Sequence, residues 1–273
     1  MRGMFTAGVI DVLMEHDIEF DGAVGTSAGA AFGCNYKSRQ IGRTIRYNKK
    51  YCRDKRFVSL SSWLKTGDLY GVEFSYHEIP NHLDPFDRET FSASPMEFYV
   101  VCTDMETGEA VYHNCTTGEQ EDIEWMRASA SMPLAARTVF IGDRKLSDGG
   151  TADSIALKFM EEKGYERNVV ILTQPAGFSK KPNRLMPLMK LAYRRYPYFI
   201  KALATRHNRY NETLAYIKQQ EEEGKVFVIR PPEPLGVGAA EKNPDELERV
   251  YQIGRKTAME TLKSLRRWLE ENN

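Results

Sequence analysis

The pentapeptide Gly25-Thr26-Ser27-Ala28-Gly29 constrains this chain more than any other feature. It stands between an extended apolar run, residues 19–25, and the small-residue run Ala28-Gly29-Ala30-Ala31. That context predicts a short buried strand turning sharply into a helix, with the serine at the bend. A serine there is held in a strained backbone conformation, so its Oγ projects away from the turn. Glycines two residues to either side keep neighbouring backbone out of its way. The helix N-terminus aims unpaired N–H groups and a positive dipole end at an oxygen that becomes negative during acyl transfer. A tight helix start that merely needs small residues has the same form. A phosphate-cradling turn is a third reading, weakened because neither the Lys-Ser/Thr pair of a P-loop nor a full dinucleotide fingerprint is present.

The surrounding pattern suits an α/β domain. Apolar residues Phe5, Val9, Val12 and Leu13 recur at helical spacing over 3–16. Residues 38–53 read as a surface helix, 121–131 as a helix stopped by Pro133, and 153–163 as an amphipathic helix with Gly164 just past its end. Two hairpins are expected, Glu97–Thr103 with Glu109–His113 around Gly108, and Thr138–Ile141 with Lys145–Ser147 around Gly142. The unbroken apolar stretch in Asn168–Thr173 predicts a central buried strand. Val226–Ile229 reads as a further strand, and Asn243-Pro244-Asp245-Glu246 opens a long amphipathic helix. Residues 57–95 are dense in turn signals and the least readable.

At 273 residues the chain suffices for one or two domains with a full core. Thirty-eight basic residues balance 38 acidic ones, which excludes a dedicated nucleic-acid coat and an acidic tail. No apolar run reaches the ~18–20 residues of a membrane span. Asp11 and Glu15 interrupt any signal-like core near the N-terminus, so a cytoplasmic chain is expected. Cys34, Cys52, Cys102 and Cys115 form no C-x-x-C pair, and the five histidines lack zinc-site spacing; reduced thiols and no metal or other cofactor are expected. Asn114-Cys115-Thr116 and Asn211-Glu212-Thr213 match a glycosylation pattern but read as surface loops in this context.

A serine nucleophile needs a base. A Ser27–Asp148–His207 triad has the chain order of α/β-hydrolases, but too few strands precede Ser27, and His207 sits in a basic stretch without strand context. The other candidate is Asp148 alone, in Leu146-Ser147-Asp148-Gly149-Gly150, where paired glycines permit a backbone path that turns the carboxylate toward another element. A plain Asp-Gly turn has the same sequence. An exposed aspartate, with pKa ~3.9, is a poor base for a hydroxyl, so a working Asp148 is expected to be buried and within hydrogen-bond reach of Ser27 Oγ.

Four segments taken in order resemble the patatin-like phospholipase family over roughly residues 1–175: Arg2-Gly3 ahead of an apolar helix, Gly25–Gly29, Ala128-Ser129-Ala130-Ser131-Met132-Pro133, and Asp148-Gly149-Gly150. The resemblance implies a three-layer α/β sandwich with a central, mostly parallel sheet, followed here by a helical C-terminal extension. It implies a catalytic core over 1–178 and a helical cap over 179–273. It also implies hydrolysis of fatty-acyl esters of lipids, of phospholipase A or lysophospholipase type, by a Ser27–Asp148 dyad without histidine or metal. The family carries a first strand and a glycine run ahead of its Arg/Lys-Gly pair, and neither stands ahead of Arg2-Gly3. Backbone N–H groups of Arg2, Gly3 and Ala28 are then the candidate oxyanion donors. Two readings follow: Met1 is an internal methionine of a longer natural chain, or the chain is a weak or inactive lipid- or protein-binding relative.

Residues 180–209 carry nine Lys/Arg and no acidic residue, interleaved with Leu, Met, Tyr and Phe, and Pro187 and Pro197 are expected to break helices there. That mixture suits peripheral contact with an anionic membrane; a helical cap with a solvated basic face is the plainer reading. Nucleic acid is not expected, because no recognised module accompanies the charge.

Overall fold

The computed structural model describes residues 1–271. Helix α1 (Gly3–Glu15) is buried along most of its length, with Met4, Phe5, Val9, Val12 and Leu13 in the main core. Strand β1 (Gly22–Thr26) runs straight into α2 (Ala28–Lys37), as the small-residue pattern predicts. Helix α3 (Arg43–Tyr51) is shorter than the expected 38–53, because Gly42 adopts φ +72° and resets the chain before it. The poorly legible segment holds α4 (Leu60–Thr66), a wide-turned helical stretch Phe74–Leu83 containing Pro80, and α5 (Arg88–Ala93). Ser59 and Asp87 cap α4 and α5 by accepting from the Ser62 and Thr90 amides, at 3.0 and 2.9 Å.

Strand β2 (Glu97–Asp104) is the axis of a five-stranded sheet. It pairs in parallel with β1 and antiparallel with β3 (Ala110–Asn114). After α6 (Gln120–Ser129), β4 (Val139–Ile141) and β5 (Arg144–Asp148) form the second expected hairpin, and β5 returns antiparallel to β2. The α/β class is as expected, but this sheet is mixed rather than mostly parallel. The cause is local: two strand pairs joined by tight turns at Gly108 (φ +72°) and Gly142 (φ +55°) run antiparallel by construction. Alternate β2 side chains separate the layers. Phe98, Val100 and Cys102 join a core with Ala30, Phe91, Trp125 and Met126. On the opposite face Tyr99 meets Phe159 edge-on, 5.0 Å between ring centroids.

Phe159 belongs to α7 (Leu157–Glu162), which ends at Gly164 with φ +93°. Strand β6 (Asn168–Ile171) follows, but it is not central to the large sheet. It pairs in parallel with β7 (Val226–Ile229) in a separate two-stranded sheet. Its unbroken apolar character has another cause: Val170 faces one core while Val169 and Ile171 pack against a different one. Between these strands, Pro187 and Pro197 do not cut helices short. They lie in the first turns of α8 (Met186–Ala192) and of the 26-residue α9 (Pro197–Glu222), positions where a missing N–H costs nothing.

Helix α10 (Pro244–Glu271) crosses α1 at close range. Gly8 and Gly254 make this possible, since a Cβ on either would sit 2.1 Å from a carbonyl oxygen of the other helix. Asp11 of α1 is buried in the seam, accepting from Tyr251 Oη at 2.7 Å and from the Gly42 amide at 3.0 Å. All four cysteines are buried free thiols. Among the described residues, no helix is long and apolar enough to cross a membrane.

Candidate active site

Ser27 stands at the junction of β1 and α2 with φ +56° and ψ −117°, a conformation that costs a non-glycine residue of order 1–3 kcal/mol. The bend holds because Gly25 allows the chain to double back: a Cβ at Gly25 would lie 2.4 Å from the Gly29 carbonyl oxygen. Gly29 itself faces open space, so no side chain crowds the hydroxyl from that side.

Asp148 ends β5 and is only 3% exposed. Ser27 Oγ donates to Asp148 Oδ2 at 2.6 Å, and the Gly150 amide donates to Oδ1 at 2.8 Å. Burial pushes the Asp148 carboxyl above its ordinary range, opposed by the Ser27 hydrogen bond, by Arg206, by the Gly150 amide and by Lys180. Gly149 is needed for close approach, since a Cβ there would fall 2.0 Å from the Val101 carbonyl oxygen of β2. The structure therefore brings Ser27, Asp148 and the glycines at 25, 29, 149 and 150 to one place. His207 lines the same cleft but makes no hydrogen bond to Ser27 or Asp148, which removes the triad arrangement.

Two serines of the Ala128–Pro133 segment hold this pair, in roles the sequence did not reveal. The Ser27 amide donates to Ser129 Oγ at 2.9 Å, and the Asp148 amide donates to the Ser131 carbonyl at 2.9 Å. Ser131 Oγ in turn donates to the Arg127 carbonyl at 2.8 Å, and its own carbonyl also accepts from Ser147 Oγ at 3.0 Å. One short segment, from the last residue of α6 to Ser131, thus fixes both backbones. Thr103 Oγ1 adds a bond to the Asp148 carbonyl at 2.8 Å.

The residues expected to supply the oxyanion donors lie together next to Ser27. Gly3 packs against Ala28 so tightly that a Cβ on Gly3 would lie 2.8 Å from the Ala28 Cβ. The N–H groups of Arg2 and Gly3, at the start of α1, and of Ala28, at the start of α2, donate to no backbone carbonyl among the described residues. A continuous cleft of about 1520 Å³ reaches Arg2, Gly3, Ser27, Ala28 and Asp148, and extends past Met132 and Pro133 toward α8 and α9.

A second convergence lies apart from this one. His113, Cys115 and Asp122 place potential ligand atoms within 4.8 Å of one another, which no local spacing announces. Asp122 is already committed there. Its Oδ2 accepts from the Thr117 and Gly118 amides, both at 2.8 Å, and Oδ1 lies 3.1 Å from His113 Nε2. Burial pushes the Cys115 thiol up, away from thiolate, and Lys37 Nζ donates to the Cys115 carbonyl at 3.2 Å. The arrangement suits a loop clamp better than a cation site.

The family model for patatin-like phospholipases matches residues 1–160, and that for a domain of unknown function, DUF6363, matches residues 196–270. A relative, "Uncharacterized protein YjjU" of Escherichia coli, is 27% identical over 93% of this chain and 72% of its own length. Among solved structures, VipD from Legionella pneumophila aligns with a TM-score of 0.46 at 12% identity, covering 96% of this chain. The chain spans 65% of the length of that VipD chain.

Proposed function

The chain belongs to the patatin-like phospholipase family, a family of lipid hydrolases, and from that premise we propose that it is a serine acyl hydrolase using Ser27 as nucleophile and Asp148 as base. The observation that carries this reading is the 2.6 Å hydrogen bond between Ser27 Oγ and the buried Asp148 Oδ2. The substrate class is a fatty-acyl ester of a lipid, cleaved in the manner of a phospholipase A or lysophospholipase. Residues 1–178 supply the chemistry, and 179–273 cap the cleft.

In this reading Ser27 Oγ attacks the acyl carbonyl carbon while its proton passes to Asp148 Oδ2. The carbonyl oxygen becomes an oxyanion facing the Ala28 amide, with the Arg2 and Gly3 amides as the further donors. Collapse of the tetrahedral species breaks the ester C–O bond. The leaving alcohol takes the proton from Asp148, and the acyl group remains on Ser27. Water then attacks the acyl-serine, gives its proton to Asp148, and the carboxylic acid departs with Oγ reprotonated. One carboxyl group serves both half-reactions. Its burial raises its basicity, and its fixed contacts keep it aimed at Oγ.

The partner implied is a lipid surface, met peripherally through the basic segment 180–209. Leu188 and Leu191 of α8 and Tyr198 of α9 are exposed among its cations, which supports that placement.

The test is an acyl-ester hydrolysis assay joined to fluorophosphonate labelling. Wild type is expected to hydrolyse and to label at Ser27. Ser27→Ala is expected to abolish both, and Asp148→Asn to lower kcat by about 10³-fold or more. Turnover by Ser27→Ala at the wild-type rate would end this reading.

A further inference from the structure

Beside the dyad, the cleft holds several cations that share a single nearby carboxylate, Asp148. Arg206 and Tyr210 lie one turn apart on α9, and both line the cleft with Lys180 and Arg2. Arg206 Nε is buried without a hydrogen-bond partner. Its guanidinium comes so close to the floor that a Cβ on Gly150 would lie 2.9 Å from both Arg206 Nη2 and Asp148 Oδ1.

Lys180 is held rigidly opposite. Its amide donates to Asn211 Oδ1 at 2.7 Å, and Asn211 Nδ2 donates back to the Lys180 carbonyl at 3.0 Å. This two-way clamp fixes residue 180 on α9. The ammonium rests 4.6 Å from the centroid of the Tyr210 ring, which Phe178 braces edge-on from 6.0 Å.

No carboxylate forms an ion pair with Lys180 or Arg206 among the described residues. Desolvation, then Arg206, then Arg2 lower the Lys180 ammonium to about 8, with Asp148 the opposing charge. Three cations around one carboxylate leave the pocket with an uncompensated positive charge. A buried, unpartnered guanidinium nitrogen costs free energy that only an incoming acceptor recovers. A forked guanidinium beside an ammonium matches the oxygens of a phosphate group.

We propose that Arg206 and Lys180, with Arg2 at the rim, form a phosphate subsite next to Ser27. The subsite rests on the serine-hydrolase reading and deepens it. It would hold the phosphate of a phosphorylated acyl ester while the ester carbonyl meets Ser27, and so favour phospholipids over neutral glycerides. Arg206 and Lys180 would be binding groups that choose the substrate.

Two measurements on the full chain test this. The first compares kcat/KM for a monomeric short-chain phosphatidylcholine with that for a neutral p-nitrophenyl ester. Arg206→Gln and Lys180→Gln are expected to lower the phospholipid-to-neutral ratio about tenfold each, chiefly through KM. Arg206→Lys is expected to recover part of the loss, and Lys218→Gln, an exposed change on α9, to leave the ratio alone. Equal losses on both substrates would show that these cations act only through Asp148, and would overturn the subsite.

The second is calorimetric binding of glycerophosphocholine and of inorganic phosphate to Ser27→Ala, which reads the subsite without chemistry. Tighter binding of glycerophosphocholine identifies a lipid headgroup as the source, and tighter binding of inorganic phosphate a free anion. Either result, if lost in Arg206→Gln, supports the subsite even where no ester is hydrolysed. Binding of neither, or binding unchanged by Arg206→Gln, overturns it.

Discussion

The Ser27 amide donates to Ser129 Oγ at 2.9 Å, so the side chain of the last residue of α6 pins the backbone of the strained residue between β1 and α2. This bond occupies the Ser27 amide, whereas the Ala28 amide donates to no backbone carbonyl among the described residues. Ser129→Ala is expected to lower kcat about tenfold with little change in KM, because the bend loses its anchor while the cleft keeps its shape. Ser131→Ala is expected to be milder, since the Ser131 carbonyl, not its hydroxyl, holds the Asp148 amide. Steady-state kinetics of the two variants side by side provide the check, and a larger loss in Ser131→Ala would refute this division of roles.

The bend at Ser27, the hairpins and the Asp148 corner were legible because each rests on local chemistry: a glycine, a tight turn or an apolar period. Ser129 and Ser131 were visible only as members of a family pattern. Ser129 Oγ reaches back 102 residues to the Ser27 amide, and the Ser131 carbonyl reaches forward to the Asp148 amide across the β4–β5 hairpin; no local period reports either bond. The same limit explains β6. The apolar run of Val169, Val170 and Ile171 suggests a central strand, but which sheet these residues join depends on where β7 returns from α9. Pro187 and Pro197 misled for the opposite reason. A proline breaks a helix interior but begins a helix well, and only the flanking chain decides which. Arg206 and Lys180 were read as surface charge because burial from three separate elements is not written in any one of them.

Asp148 must be ionised to accept the Ser27 proton, and burial holds its carboxyl above the ordinary range. The acid limb of kcat is therefore expected at a pH above that of a free aspartate, measured on a neutral ester so that headgroup binding does not intrude. The same shift acts on stability. A carboxyl whose folded pKa is raised favours the protonated form on folding, so ionisation costs stability as pH climbs from 3.8, the ordinary value, through the raised one, and the full cost persists at neutral pH. Asp148→Asn keeps acceptor and donor atoms while removing the charge. It is expected to raise Tm by about 2–4 °C at neutral pH, about 1 kcal/mol, with the gain fading at acid pH. A variant less stable than wild type at neutral pH would contradict the assignment.

Gly149 lies against β2 with no room for a methyl group, its hypothetical Cβ 2.0 Å from the Val101 carbonyl oxygen. Gly149→Ala is expected to push Asp148 off its line to Ser27, costing ~1–3 kcal/mol of stability by overpacking and about 10²-fold in kcat. Gly142→Ala serves as the comparison, because that glycine also turns the chain, at φ +55°, but touches nothing. It should cost stability through backbone strain alone and leave kcat intact. Thermal melts and kinetics on the two proteins separate displacement of the base from general destabilisation.

α4 and α8 are tied together, and each carries an exposed apolar face. Trp63 Nε1 donates to the Leu134 carbonyl at 2.8 Å, and Tyr193 Oη accepts from the Leu134 amide at 2.8 Å, so residue 134 joins α4 to α8. Leu60 and Leu64 are 70% and 73% exposed at i and i+4 on α4, and Leu188 and Leu191 are 51% and 65% exposed at i and i+3 on α8. Apolar side chains spaced along one face of each helix, with Lys181, Arg184, Lys190, Arg194, Arg195 and Lys201 exposed in the cap, are the groups that the proposed contact with an anionic bilayer would use. Replacing Leu188 and Leu191 together by serine is expected to lower affinity for phosphatidylglycerol vesicles at least tenfold, since each leucine buried in lipid is worth about 1.5–3 kcal/mol at most. The Leu60→Ser, Leu64→Ser pair should act in the same direction. Charge and apolar insertion then separate by salt: raising ionic strength should weaken wild-type binding toward a floor, and the double-serine protein should fall below it. Equal flotation of wild type and both double variants with anionic vesicles would show that these faces do not meet the membrane.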